Sequence, residues 1–223
     1  MPRLQTTTML ISNDKNQVTE LIERADNCLI LPSPLKGADA LGAAVGLGLL
    51  VKSLGKEATI LYSKEVPAEF TKFKSTLHIK KEVDPENLVI SIDYRNTPIE
   101  KINYAIENEV LNLVVTPVPQ DFDLNRVSFK DSGAKYDLMI TIGADAWSNF
   151  GNFFHQKEED ISKTPILNID NSEGNKVYGT INVIEPSYGS ISEMLLNKLP
   201  IWGFRMDRET AKALLSGIAS LEA

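Results

Sequence analysis

The segment PILNIDNS at positions 165–172 decides how the fold of this chain is interpreted. Its apolar run from Ile166 to Ile169 contains a single Asn and predicts a short buried β-strand. Three small polar side chains follow at the C-terminal end of that strand, namely Asp170, Asn171 and Ser172. In an open parallel α/β sheet, ligands bind beyond that end of the strands. The segment therefore predicts both a parallel sheet and a ligand position.

Apolar runs and helical repeats alternate along the rest of the chain. Helices are predicted from residue 13 or 14 to about 26, from 38 to 55, from about 146 to 156, from 191 to 198 and from 208 to about 218. Strands are predicted at 28–31, 57–62, 88–92, 136–142, 166–169 and 179–184, with a β-hairpin at about 99–116 and a polar connection at 120–135. Together they predict one doubly wound α/β domain over residues 1–223, with a mainly parallel sheet, helices on both faces and the hairpin as an insertion.

The composition is that of an ordinary globular protein. Of the 223 residues, 43% are hydrophobic and 24% are charged, which is enough apolar material for one substantial core. The net charge of −7 repels phosphate backbones and argues against non-specific nucleic-acid binding. A single nucleotide or a protein partner fits this charge better.

The single cysteine, Cys28, lies in an apolar run and is expected to pack as a small hydrophobic side chain in a strand. One cysteine cannot form an intrachain disulfide, which fits a reducing compartment. Residues 1–8 lack the pattern of a signal peptide, and no stretch is expected to be long enough to span a membrane. We therefore expect a cytoplasmic protein that makes no membrane contact.

Small polar residues and glycines after three of the predicted strands form a candidate ligand cleft. Its members are Ser33, Gly37, Asp39, Gly143, Asp145, Asp170, Asn171, Ser172 and Asn175. For residues 170–172, a local turn in which Asp170 accepts backbone hydrogen bonds is favoured over a catalytic role. Asp39, at the start of a predicted helix, is interpreted as a capping carboxylate or as a ligand of a bound group. Gly42, Gly46 and Gly48 match no phosphate-binding loop and predict close packing of that helix.

Four stretches of the sequence, taken in order, resemble a known family. They are DALGA at 39–43, residues 138–151 with ITI and WSNFG, residues 168–193 with NIDNS near their start, and ALLSGI at 213–218. These stretches resemble the motifs of the DHH family of phosphoesterases, in its nanoRNase and pAp-phosphatase branch, along most of the chain. In that family the motifs hold two divalent metals, usually manganese, which activate water for phosphoester hydrolysis. The resemblance also implies that the family's C-terminal accessory domain is absent from this sequence.

The resemblance implies that most metal ligands of the family have been replaced. Ser33 and Asn171 stand where the family has metal-binding His residues, and Gly37, Gly143 and Leu221 stand where it has Asp, so that only Asp39 matches. Two neighbouring dications need several anionic or imidazole ligands. We therefore expect no bound cofactor, with Mn²⁺ or Mg²⁺ required only if some activity is retained.

Three functions remain open at this point. A catalytically inactive domain that acts as a binding or scaffolding module is favoured. The alternatives are a residual metal-dependent phosphoesterase acting on short oligoribonucleotides or nucleotide phosphoesters through Asp39, Asp145 and Asp170, and nucleotide binding without hydrolysis. The hairpin at about 99–116 is expected to offer an edge to a protein partner. Because members of the family are often dimeric, the resemblance also makes a homodimer an expectation.

Overall fold

Strands rich in Ile, Leu and Val form the centre of the fold in the computed structural model, which describes residues 15–82, 88–117, 123–131, 136–151 and 163–221. In chain order the helices and strands are α1 (15–24), β1 (Asn27–Pro32), α2 (Gly37–Ser53), β2 (Glu57–Leu61), β3 (His78–Lys80), β4 (Leu88–Ile92), β5 (Ile99–Glu107), β6 (Val110–Pro117), β7 (Val127–Asp131), β8 (Leu138–Ile142), β9 (Ile166–Asp170), β10 (Ile181–Ile184), α3 (Ile191–Ile201) and α4 (Arg208–Ala219). Short 3₁₀ helices lie at Pro34–Lys36, Ala68–Ser75, Leu124–Arg126 and Trp147–Phe150.

Six of the strands form one parallel sheet in the order β10-β9-β8-β1-β2-β3. The predicted parallel α/β fold is therefore confirmed. The strand of the opening segment, β9, lies between β8 and β10. Since β8 in turn pairs with β1, the carboxyl ends of β1, β8 and β9 lie next to one another. This neighbourhood is where a ligand site of such a sheet is expected.

The two faces of the parallel sheet are covered in different ways. On one face, Ile30 and Ile140 belong to the same hydrophobic core as the buried residues of α1, α2, α3 and α4. The strand residues of the other face's core are Leu29, Leu31, Met139 and Ile166. Trp147, Phe150 and Tyr178 pack against them, with the Trp147 ring 5.0 Å from that of Tyr178 and 5.9 Å from that of Phe150.

Helix α2 is buried over most of its length, since every residue from Asp39 to Val51 is buried. This agrees with its Ala, Leu and Gly composition, which leaves no polar face. The segment Pro34–Ser53 has the length and the mean hydropathy, 1.3, of a membrane span, contrary to the expectation that no stretch would reach that length. In the structure, 72% of its apolar window is buried inside the protein, which is the environment of a core helix.

Residues 84–135 form a second compact unit, separate from the unit made by residues 1–83 and 136–223. The predicted hairpin is confirmed as β5 and β6, which pair antiparallel from Ile99 to Pro117. Its turn residues, Asn108 and Glu109, both have positive φ angles, 51° and 64°, as in the two-residue turns that suit the twist of a hairpin. The single domain over residues 1–223 stays a prediction.

The strand predicted at 88–92 is confirmed as Leu88–Ile92. It does not join the parallel sheet, because it pairs antiparallel with β7 in a two-stranded sheet of the second unit. The neighbour of β2 is instead β3, whose three residues are too few to give an apolar pattern. β7 lies within the stretch 120–135 that was predicted to be a connection without regular structure.

The helix predicted from about 146 to 156 is also different in the structure. A 3₁₀ helix covers Trp147–Phe150, and the chain leaves it at Gly151, where a φ of 58° is incompatible with continuing a right-handed helix. Residues 152–156 lie outside the described part of the chain.

We expect the Cys28 thiol of the native protein not to react with a thiol reagent at about pH 8, whereas one thiol per chain reacts in denaturant. Cys28 is fully buried, and burial, with a smaller contribution from the Asp137 carboxylate, raises its pKa from 9.0 to about 12. The thiolate that attacks such reagents is therefore scarce. Because the unfolded chain loses this proton first, the thiol's contribution to stability is lost as the pH rises from about 9 to about 12. Rapid reaction of the native protein in an absorbance assay would contradict the prediction.

Candidate functional site

The loops after β1, β8 and β9 lie side by side at the carboxyl edge of the sheet. The backbone N–H of Ser33 donates to the carbonyl oxygen of Ile142 at 2.7 Å, and that of Gly143 donates to the carbonyl of Ile169 at 2.8 Å. These bonds continue the pairing of neighbouring strands by one residue beyond their ends. Three segments that are far apart in the sequence are thereby brought together.

The Asp39 carboxylate, in the first turn of α2, points at the N-terminus of α3. Its Oδ1 accepts hydrogen bonds from Ser190 Oγ at 2.7 Å and from the Ser192 N–H at 3.0 Å, and its Oδ2 accepts one from the Ile191 N–H at 2.8 Å. Ser192 Oγ donates in return to the Asp39 carbonyl at 2.9 Å. Free N–H groups and the helix dipole both favour a negative charge at this end of a helix. Asp39 is thus a capping carboxylate, but the helix that it caps is α3 and not its own.

Asp170 is completely buried at the end of β9, and both of its oxygens accept hydrogen bonds. Oδ1 accepts from the Asn171 N–H at 2.8 Å and Oδ2 from Asn175 Nδ2 at 2.8 Å. Asn175 Nδ2 also donates to the Ala144 carbonyl at 3.0 Å, and its Oδ1 accepts from Asn168 Nδ2 at 2.8 Å. Asp170 and Asn175 therefore hold the loop after β9 against the loop after β8, which agrees with the turn predicted for residues 170–172.

Lys36 is a residue of this edge that the sequence did not predict. Its Nζ donates to Asn171 Oδ1 at 2.9 Å, and Asn171 Nδ2 donates to the Tyr188 carbonyl at 2.9 Å. Lys36 lies one residue before Gly37, whose φ of 55° turns the chain into α2. The signal in the sequence was a lysine placed between Pro34 and a glycine in the loop after the first strand.

The remaining predicted residues are half-buried or buried parts of the same loops. Ser33 is completely buried, and its Oγ accepts from the Leu35 N–H at 3.3 Å. The Asp145 carboxylate accepts from Asn149 Nδ2 at 2.6 Å. Ser172 closes a turn, with its carbonyl accepting from the Asn175 N–H at 3.3 Å.

Tyr178 fixes the loop after β8 from the other side of the sheet. Its hydroxyl can donate a hydrogen bond to either of two acceptors, Thr141 Oγ1 at 3.0 Å and the Ala144 carbonyl oxygen at 3.1 Å. Burial raises the pKa of this hydroxyl well above its ordinary value, with smaller contributions from the charges of Asp170 and Asp145. The Tyr178 hydroxyl therefore stays protonated and remains a hydrogen-bond donor.

Gly143 has no room for the aspartate that the resemblance expects at its position. Its φ is 71°, and a Cβ built on it would lie 2.7 Å from Ile191 Cδ1 and 2.9 Å from Lys36 Cγ. A side chain at 143 would therefore be strained and would collide with both neighbours. The space beside Gly143 is occupied by Lys36 and α3.

The side chains at this edge do not fit a pair of divalent metals. Within the part of the chain that the structure describes, no three His, Cys, Asp or Glu side chains are grouped closely enough to hold a metal ion. Asp39, Asp145 and Asp170 each accept from different protein donors instead of converging. Leu221, at the fourth motif position, is an exposed apolar residue.

Comparison with known proteins identifies the fold. Neither a known family nor a curated protein matches the sequence. Among solved structures, an exopolyphosphatase-related protein from Bacteroides fragilis is similar, with a TM-score of 0.60 and 14% sequence identity. The similarity covers 94% of this chain and 50% of that chain, so this chain spans half the length of that protein. This likeness shows a shared fold, while membership of the DHH family and of its nanoRNase branch stays a prediction.

Proposed function

We propose that this chain is a catalytically inactive phosphoesterase-like domain that acts as a binding module. The single observation that carries the proposal is the engagement of Asp39, the one residue matching a metal-ligand position of the DHH family. Both oxygens of its carboxylate accept hydrogen bonds from Ser190, Ile191 and Ser192. A metal at Asp39 would have to displace these donors and leave the start of α3 unsatisfied, which costs about 1–3 kcal/mol for each buried group.

A titration with Mn²⁺ in a calorimeter tests this proposal together with an assay on a short oligoribonucleotide and on pAp. The expected result is no pair of tight metal sites and no hydrolysis above the rate of a Ser33→Ala variant. Two tight sites, or turnover that Asp39→Asn abolishes while the fold is kept, would overturn it in favour of the residual phosphoesterase.

A second candidate function, nucleotide binding without hydrolysis, is favoured by Lys36. Its ammonium group donates to Asn171, the residue aligned with a metal-binding His of the DHH family. A fixed positive charge there repels a divalent cation and attracts an anionic group. The Asp39 and Asp170 carboxylates accept hydrogen bonds from protein donors, which offset part of their negative charge. The chemistry at Lys36 therefore suits the phosphate of a mononucleotide or dinucleotide.

We expect Lys36→Ala to weaken the binding of adenosine monophosphate about 10- to 100-fold, because a charge-assisted hydrogen bond contributes about 1.5–3 kcal/mol. Asn171→Asp should weaken binding similarly, since a carboxylate in the same place neutralises the ammonium. Lys212→Ala is the matched control, because it removes the same charge from α4, where Lys212 pairs with Glu209. Affinities from calorimetry without added metal decide the question, and equal affinities for the Lys36 and Lys212 variants would contradict the assignment.

A further inference from the structure

The β5–β6 hairpin carries a continuous apolar face. Cross-strand pairing places three pairs of large apolar residues on this face: Ile102 with Val115, Tyr104 with Leu113, and Ile106 with Leu111. Side chains alternate between the two faces of a strand, so the other face carries the residues in between. That second face includes the polar residues Lys101, Asn103, Glu107, Asn112 and Thr116, together with Ala105, Val110 and Val114. The first face is therefore the more apolar of the two.

The apolar face is not covered by the described part of the chain. Every residue from 100 to 114 is exposed, and the exposed fractions of the large residues on this face range from 44% for Leu113 to 74% for Tyr104, except for Val115, which is half-buried. At these exposed fractions the three pairs present roughly 500 Å² of apolar surface, which is at the upper end of what a monomer shows. An isolated two-stranded hairpin is also only marginally stable in water. The exposed apolar area and the low stability of an isolated hairpin both indicate that a partner covers this face.

We propose that this partner is the same hairpin of a second copy of the chain, packed face to face to form a four-stranded sandwich. This inference does not depend on the proposed function. Two such faces together bury about 1,000 Å², the lower limit for a specific interface. Apolar residues run along the whole face, so each pair of the first hairpin meets an apolar pair of the second. The two hairpins then stack about 10 Å apart, as sheets do in a sandwich.

The charges at the two ends of the hairpin select an antiparallel stacking. The tip carries the carboxylates of Glu107 and Glu109, whereas Glu100 and Lys101 at the base carry opposite charges. A two-fold axis perpendicular to the strands places each acidic tip over the neutral base of the partner, while a parallel stacking would bring the two tips together. In the antiparallel arrangement, Tyr104 lies opposite Tyr104 of the partner subunit. The Tyr104 position is therefore closest to the axis.

Sedimentation of the full chain tests the interface. Tyr104→Glu should raise the dissociation constant of the dimer on the order of a hundredfold or more, because it buries a charge at the centre of the interface in both copies. Asn103→Glu introduces the same charge on the opposite face of the same strand and should leave the dimer intact. A monomeric wild-type protein, or a Tyr104→Glu variant that dimerises like Asn103→Glu, would overturn the proposal. Circular dichroism checks that both variants keep the fold.

A cysteine cross-link tests the orientation. Tyr104→Cys should give a covalent dimer with a short bismaleimide, because the two positions face each other across the axis at the spacing of stacked sheets, about 10 Å, which a direct disulfide does not bridge. Asn103→Cys should stay unlinked under the same conditions. Cys28 does not interfere, since it is buried. Equal cross-linking of the two variants, or none at position 104, would overturn the antiparallel dimer.

Discussion

Replacing Asp39 with alanine is expected to lower the free energy of unfolding by about 3–5 kcal/mol, because each buried donor left without an acceptor costs about 1–3 kcal/mol. The carboxylate is 3% exposed and accepts three hydrogen bonds at the start of α3. Its loss leaves the N–H groups of Ile191 and Ser192 buried without their acceptor. It also removes a negative charge from the positive end of the helix dipole, which contributes about 0.3–1 kcal/mol more.

Urea denaturation of three variants measures this effect. Asp145→Ala is the matched control, because Asp145 is half-buried and its carboxylate accepts one side-chain hydrogen bond from Asn149, so the expected cost is about 1 kcal/mol. Asp39→Asn keeps the shape but presents an NH₂ group to N–H or O–H donors, and it should be nearly as unstable as Asp39→Ala. If both Asp39 variants were as stable as Asp145→Ala, Asp39 would not hold α3 in place, and a ligand role would regain support.

The sequence predicted the parts of the fold whose signal is local. The apolar run 166–169 became β9, the Ala, Leu and Gly segment became α2, and the alternation on both sides of residues 107–109 became the hairpin. Strand β3 was missed, because a three-residue strand gives no alternation to detect. The pairing of β4 with β7 was missed because the sequence of an apolar strand does not indicate which strand it will pair with.

The candidate site was predicted in position but not in its contacts. Strand ends identified the loops after β1, β8 and β9, since a parallel sheet brings these ends to one edge. The partner of Asp39 is Ser190, 151 residues further along the chain, and no local pattern joins the two. Lys36 was missed for the same reason, because its hydrogen bond reaches Asn171 across 135 residues. Contacts of this kind follow from the sheet order, which the sequence alone does not fix.

Gly42→Ala is expected to lower the free energy of unfolding by about 2–3 kcal/mol, within the range for overpacking a well-packed core. A Cβ built on Gly42 would lie 2.6 Å from Gly217 Cα, 2.9 Å from Gly217 N and 3.0 Å from the Ala213 carbonyl. All three atoms belong to the backbone of α4, so no side chain can rotate away and the two helices must separate. The intrinsic gain of about 0.5–1 kcal/mol for Ala over Gly within a helix is too small to offset this.

Gly48→Ala provides the matched control on the same helix. Its Cβ would meet side-chain atoms, Leu77 Cδ2 at 3.3 Å and Ile60 Cδ1 at 3.4 Å, which can shift by a few tenths of an ångström. The helix propensity of Ala then balances the contact, and denaturation should detect a change of about 0.5 kcal/mol or less. Equal stabilities for the Gly42 and Gly48 variants would contradict the close approach of α2 and α4.

Because a Cβ at Gly217 would meet the Asp39 carbonyl at 3.2 Å, the displacement caused by Gly42→Ala should also disturb the cap of α3. Combined with Asp39→Ala, it should therefore cost less than the sum of the two single changes.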